Sequence, residues 1–303
     1  MEPLFPHFES LRPEHRPLIE KITGRFPPYS DFNFTSLWSW DTRKQTRFSI
    51  LNGNLVVRFS DYVTQEPFFS FLGDQMVNET AQALLDLAQQ EGIHPQLKLL
   101  PKKTAERLDP ERFHVVNDAD NHDYILSVDL LRSYAGARFE KHRNKVNRFT
   151  RLHQTETNML DLSDRLTQGP CEKLFLAWKD WKQLSPSETE NELKAIRHFF
   201  RLVSMDHTFV AIGIFLRGEL LGFSINELLE NGYGMQHFEK AMPAQFTGIY
   251  QYLNQETARV LWENGCQFLN CQQDLGLAGL RANKMGMSPV AFFEKFRVTR
   301  NTM

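Results

Sequence analysis

The chain has 303 residues, 41% hydrophobic and 24% charged, with a formal net charge of -2. That balance excludes a disordered polymer and gives no global reason to bind nucleic acid or an anionic membrane, so any basic patch has to be local. The longest apolar run, Phe209 to Leu216, is too short to span a bilayer, and three cysteines without a C-x-x-C pair exclude a disulfide or zinc framework.

The length exceeds one ordinary core, so two domains or two pseudo-symmetric halves are expected. The first residues carry early acids and no apolar signal-peptide core, which makes cytoplasmic residence the default expectation. Along the chain, "TRFSILNGNLVVRFSD" alternates about Asn52-Gly53, a hairpin signal because both residues tolerate positive φ. The strand "PFFSFLG" follows. Next, "NETAQALLDLAQQEG" reads as a helix capped by Asn78, with Ala81, Leu84, Leu85 and Ala88 inward and Gly92 at its exit. "QLKLLP" closes the unit as a strand. His122 and Asp123 in "NHDY" read as loop chemistry rather than a metal pair.

"RSYAGARFEKHRNKVNRFTRL", residues 132–152, carries seven cations against the single acid Glu140 and reads as one basic helix. Lys141, Arg143 and Lys145 are its candidates for holding a polyanion; a solvated face is the bland alternative. Helices at "CEKLFLAWKDWKQL" and "ETENELKAIRHFFRLV" place Phe175, Trp178, Trp181, Ile196, Phe199 and Phe200 in a core. The hairpin–strand–helix–strand order then recurs. "TFVAIGIFLRGELLGFSINELLE" turns at Arg217-Gly218, "YGMQHFEKA" follows Asn231-Gly232, "FTGIYQYLNQETARVLWENG" is an amphipathic helix and "CQFLNC" a strand. Two related halves are expected, at 1–130 and 131–303.

The junction from "YGMQHFEKA" to the second helix aims backbone N–H groups at one spot, where Gln245 and Gly248 would let a phosphate approach the main chain. The segment Gln245 to Tyr250 resembles half of the Q/R-x-x-G-x-G/A loop of GNAT-type acyltransferases, with Tyr250 in place of the last small residue. Jointly, "YSDFNFTSLWSW", "YAGARFEKHRNKVNRF", "HFEKA" and "NCQQDLGLAGLRANKMGMSPV" resemble the tandem-GNAT family typified by the C-terminal domain of phosphatidylglycerol lysyltransferases, related in fold to the FemABX peptidyltransferases. The resemblance covers roughly residues 28–298.

It implies an α+β fold of two GNAT-like halves, each a mixed, mostly antiparallel sheet flanked by helices. It also implies acyl or aminoacyl transfer to an amine or hydroxyl, of a small molecule or a lipid headgroup. The donor would be aminoacyl-tRNA or, less readily, acyl-coenzyme A, with no further cofactor and no metal. The ends of "YGMQHFEKA" and "QFLNCQQD" would face one cleft, with Glu239 and Asp274 as rival catalytic carboxylates. Arg281 and Lys284, three apart, would converge on a phosphate or carboxylate. The alternatives are an internal Asp274–Arg281 ion pair that pins the glycine-rich connection and, for the whole chain, a non-catalytic module that binds RNA, a nucleotide or a lipid headgroup.

Overall fold

The computed structural model describes residues 2–61, 64–184, 186–203 and 208–301, the side chains of 186–188 excepted. The chain divides into two units, each with its own seven-stranded mixed sheet.

The first unit opens with β1 (Glu9–Ser10), α1 (Arg16–Thr23) and α2 (Phe34–Trp40), the last capped by the Asn33 side chain, which accepts from Ser36 N. The hairpin of β2 (Arg47–Leu51) and β3 (Asn54–Ser60) turns at Asn52 and Gly53, both at positive φ (53° and 77°), as the sequence requires of a two-residue turn. β4 (Pro67–Leu72) leads into α3 (Val77–Gln90), and β5 (Leu97–Pro101) runs parallel to β4. Asn78 does not cap α3 as expected. Met76 holds the cap position in the left-handed region, and the Asn78 side chain instead accepts from Asp109 N. The short α4 (Lys102–Ala105) and β6 (Phe113–Asn117) follow. Phe69, Phe71, Leu84, Leu85, Leu97 and Val298 fill the core between sheet and α3.

The second sheet and its helices are built from β7 (Asp123–Ser127), α5 (Val128–Ser133), α6 (Glu140–Leu152), β8 (Glu156–Met159), α7 (Arg165–Lys182), α8 (Pro186–Val203), β9 (Phe209–Leu216), β10 (Glu219–Leu228), β11 (Tyr233–Ala241), α9 (Ile249–Glu263), β12 (Phe268–Asn270) and β13 (Ala291–Phe293), while α10 (Ala278–Gly286) belongs to the first unit through Arg281 and to the second from Ala282. β14 (Lys295–Arg300) then pairs with β5 and β6 in the first sheet. The strand orders are β1-β2-β3-β4-β5-β14-β6 and β13-β7-β12-β11-β10-β9-β8. Each sheet contains a parallel pair, β4 with β5 and β11 with β12, flanked by antiparallel neighbours. This is the α+β architecture of two GNAT-like sheets.

Two sequence expectations need correction. A single boundary after residue 130 misses the chain's return: the first unit comprises Met1–Asp123, Gln273–Arg281 and Phe292–Met303. Residues 291–300 accordingly form two strands, β13 in the second sheet and β14 in the first. The basic run 132–152 is not one helix either. Tyr134 (φ 46°) and Gly136 (φ 89°) break it, and the turn Ala137–Phe139 precedes α6. Arg143, expected to face a polyanion, donates to the carbonyls of Tyr134 and Gly136 and so clamps that break.

The return of β14 completes a polar cluster buried inside the first unit. Lys295 Nζ meets the carboxylates of Asp31 and Asp123, the latter at 2.7 Å, and all three side chains are sealed from solvent. Ser30 donates to Asp123 through its main-chain N and Oγ at 2.7 and 2.6 Å, while Gln273 Nε2 donates to Asp31 at 3.1 Å. Asp123 is therefore a buried ion-pair partner, not loop chemistry.

Candidate active site

The second sheet opens along one edge of β11. This strand pairs with β10 over its whole length, from Gly234 against Leu228 to Ala241 against Gly222. Its pairing with β12 covers only Tyr233, Gly234 and Met235, because β12 ends at Asn270 and the backbone turns away at Gln272 (φ 63°). Among the described residues, positions 236–241 of β11 have no strand neighbour on that side. One link spans the mouth of the gap: Gln272 Nε2 donates to Gln236 O at 2.8 Å. At the far end Ala241 N donates to Tyr250 Oη at 3.2 Å. Tyr250, which replaces a small residue in the resembling loop, thus satisfies a strand amide that the gap leaves exposed.

A β-bulge decides what faces α9. Strand alternation would place Gln236 and Glu239 on opposite faces, being three residues apart. The register slips between Ile225 and Asn226, so Asn226 pairs with Gln236 and Ser224 with Glu239. Ser224, Asn226, Gln236 and Glu239 then share one face. Asn226 Nδ2 donates to Ser224 Oγ at 3.0 Å, and Asn254 of α9 donates to Glu239 Oε1 at 3.1 Å. The other face carries the Glu227–His237 pair (3.0 Å) and Lys240, which meets Glu192 at 2.7 Å and lies over the Trp178 ring.

Glu239 combines three properties of a proton acceptor. It keeps partial exposure, it is held by Asn254, and burial pushes its carboxyl up to about 7 against the opposing pull of Lys240, Gln236, Lys284 and Asn254. The same burial, with the Glu239 charge behind it, raises the phenols of Tyr134 and Tyr250 above their ordinary range, so both stay protonated donors at neutral pH. Among the described residues Asn226 Oδ1, buried on the Glu239 face, has no hydrogen-bond partner, which leaves an acceptor for a ligand's N–H.

The remaining sequence candidates are placed as follows. Asp274 is fully buried, and its carboxylate binds Arg281 through Nε at 2.8 Å and Nη2 at 2.9 Å while accepting from Gly276 N at 2.8 Å. Arg281 also reaches Asp120 at 2.6 Å, so this is an ion-pair cluster within the first unit. Arg281 and Lys284 do not converge. Lys284 turns to the carbonyls of Cys271 and Gln272 in the second unit, at 3.1 Å from the latter. Gln245 is exposed, and so are Lys141 and Lys145. Gly248 is buried at φ 98°, and an added Cβ there would overlap the Lys145 carbonyl oxygen. The close approach that the sequence offered to a phosphate is taken by the α6 backbone. Gly248→Ala is therefore expected to cost about 2–4 kcal/mol in urea unfolding, from left-handed strain plus overlap.

Sequence reasoning missed Ser224, Asn226, Gln236 and Asn254. The bulge leaves no mark in the alternation, but Asn254 does carry a signal: it is a polar residue in the buried stripe of α9 formed by Ile249, Leu253, Thr257 and Leu261. Among the described residues, no group of three or more His, Cys, Asp or Glu side chains is placed to hold a metal ion, and no helix is long and apolar enough to cross a membrane.

Comparison with known proteins bears on this geometry. The family model described as "Phosphatidylglycerol lysyltransferase, C-terminal" matches residues 24–299. A conserved protein of unknown function from Bacteroides thetaiotaomicron VPI-5482 superposes with a TM-score of 0.82 at 23% identity, over 97% of this chain and 99% of that one. The structure of L-PGS from Bacillus licheniformis gives 0.66 at 13% identity, over 97% and 94%. FemX gives 0.60 at 9% identity, over 96% of both chains. At these identities the likeness concerns the fold. No curated protein matches.

Proposed function

Since the chain belongs to the phosphatidylglycerol lysyltransferase C-terminal family, we propose that it is an aminoacyltransferase whose reaction takes place in the gap between β11 and β12, with Glu239 as the proton acceptor. The donor is an aminoacyl-tRNA and the acceptor an amine or hydroxyl. The nucleophile's N or O forms a bond to the aminoacyl carbonyl carbon, the carbonyl–ribose oxygen bond breaks, and the nucleophile's proton passes to Glu239 and then to the departing ribose oxygen. Asn226 Oδ1, with Glu239 beside it, suits the donor's ammonium group, and the protonated Tyr250 hydroxyl is a hydrogen-bond donor for the developing oxyanion.

The observation that carries this reading is Glu239: a partly exposed residue on the face of a splayed strand pair, whose carboxyl burial pushes up to about 7. The filled space at Gly248 supports a donor other than acyl-coenzyme A, because a pyrophosphate has no room against that main chain. The test is transfer of label from a mixture of radiolabelled aminoacyl-tRNAs, either to phosphatidylglycerol vesicles or to water-soluble amines. Enzyme-dependent transfer to either acceptor supports the proposal. Label that stays on tRNA with every acceptor, while tRNA still binds, would instead support a non-catalytic binding module.

Among the exposed cations of α6 are Lys141, Lys145 and Arg148. Replacing these three by Ala is expected to weaken tRNA binding and to flatten the plot of log K against log salt by about 2. Arg143 is left intact because it clamps the chain break. An unchanged slope, measured by filter binding from low to physiological salt, would make α6 a solvated face.

A further inference from the structure

The first unit contains an open concavity of about 230 Å³ lined by Gln45, Arg47, Arg58, Ser60, Gln65 and Pro67. Its floor is unusual for a sheet. Arg47 of β2 and Arg58 of β3 are directly opposite each other in the antiparallel register, and both are partly buried. Like charges at directly opposed positions repel and weaken a strand pair. An anion held between them would offset that repulsion.

The two side chains are also held ready. Arg47 Nη1 donates to the carbonyls of Lys44 and Thr46 at 2.8 and 3.0 Å, which fixes its guanidinium plane. Arg58 meets Glu91 at 3.4 Å through Nε alone. Among the described residues, Nε and Nη2 of Arg47 and both Nη atoms of Arg58 have no hydrogen-bond partner. Ser60 Oγ donates to Gln45 Oε1 at 3.1 Å, which orients the Gln45 amide group at the rim. Among the described residues, Glu91 is the carboxylate in ion-pair contact with these arginines, and it offsets one of their two charges.

We propose that this concavity is a phosphate site, in which Arg47 and Arg58 bind the oxygens of one phosphate group between β2 and β3. Two planar guanidinium forks match a tetrahedral oxyanion better than ammonium groups do. The volume accommodates a single phosphate group with a small ester substituent. The site stands on the first unit alone and is independent of the reaction assigned to Glu239.

The test is thermal unfolding of the full chain with increasing inorganic phosphate, at ionic strength held constant with sodium chloride. The expected result is a saturable rise in Tm of about 3 °C at ten times Kd. The rise disappears in Arg47→Gln and Arg58→Gln. Arg58→Lys keeps the charge, so a folded variant remains available; its Kd is expected to weaken at least tenfold. A parallel titration with glycerol 3-phosphate separates the sources: equal affinity identifies free phosphate as the ligand, and tighter binding identifies a phosphomonoester. No saturable shift beyond chloride, or the same shift in both Gln variants, would overturn the proposal.

Discussion

Glu239→Gln is expected to lower aminoacyl transfer by about 10²–10⁴-fold, the usual contribution of a positioned proton acceptor, while leaving the protein folded. The amide keeps the shape of the side chain and can still meet Asn254. Stability should respond in the opposite direction to activity. Because the folded carboxyl is raised from its ordinary value of 4.5 to about 7, the folded state binds more protons than the unfolded one across that window. Wild-type stability therefore declines as pH rises from 4.5 to 7 on account of this group, and the Gln variant lacks that decline. The difference in Tm between variant and wild type is expected to move in the variant's favour from pH 5 to pH 8. A merely structural Glu239 would give a destabilised variant with its remaining activity in proportion to its folded fraction.

Lys295→Met is expected to destabilise the first unit by about 3–5 kcal/mol at neutral pH, read by urea unfolding. The side chain lies at the centre of the buried cluster, and its loss leaves Asp31 and Asp123 together without a cation. Burial already raises the Asp31 carboxyl against the pull of Lys295. Without that pull the Asp31 carboxyl rises further, and the variant can relieve the repulsion between the two carboxylates only by taking up a proton. The deficit relative to wild type is thus smallest at acid pH and grows as pH rises above the ordinary carboxylate range. Adding Asp31→Asn to Lys295→Met removes one of the two stranded charges and should restore part of the loss. A pH-independent deficit would point to lost packing rather than lost charge.

What was legible in the chain was local. Asn52-Gly53 and Arg217-Gly218 announced their hairpins because positive φ at two successive residues is a property of the turn itself. The amphipathic stripes of α3 and α9 were legible from their helical period, and four separate segments jointly carried the family resemblance. The candidate site was legible only in part. Glu239 could be named, because it closes a strand next to the loop that carries the resemblance. Its neighbours could not, since one extra residue in β11 reverses the face of everything before it and leaves the composition unchanged. Asp274 and Arg281 illustrate the opposite failure. Their spacing suits a ligand site and an internal ion pair equally, and only burial distinguishes the two. Asp31, Asp123 and Lys295 come from three distant segments, so no local pattern links them.

The proton affinity of Glu239 is accessible without knowledge of the substrate. In protein labelled with carbon-13 at the glutamate carboxyls, the resonance absent from the Glu239→Gln spectrum is expected to titrate with a midpoint near pH 7. A midpoint near 4.5 for that resonance would leave Glu239 an ordinary ionised side chain, and the gap between β11 and β12 would lose its proton acceptor.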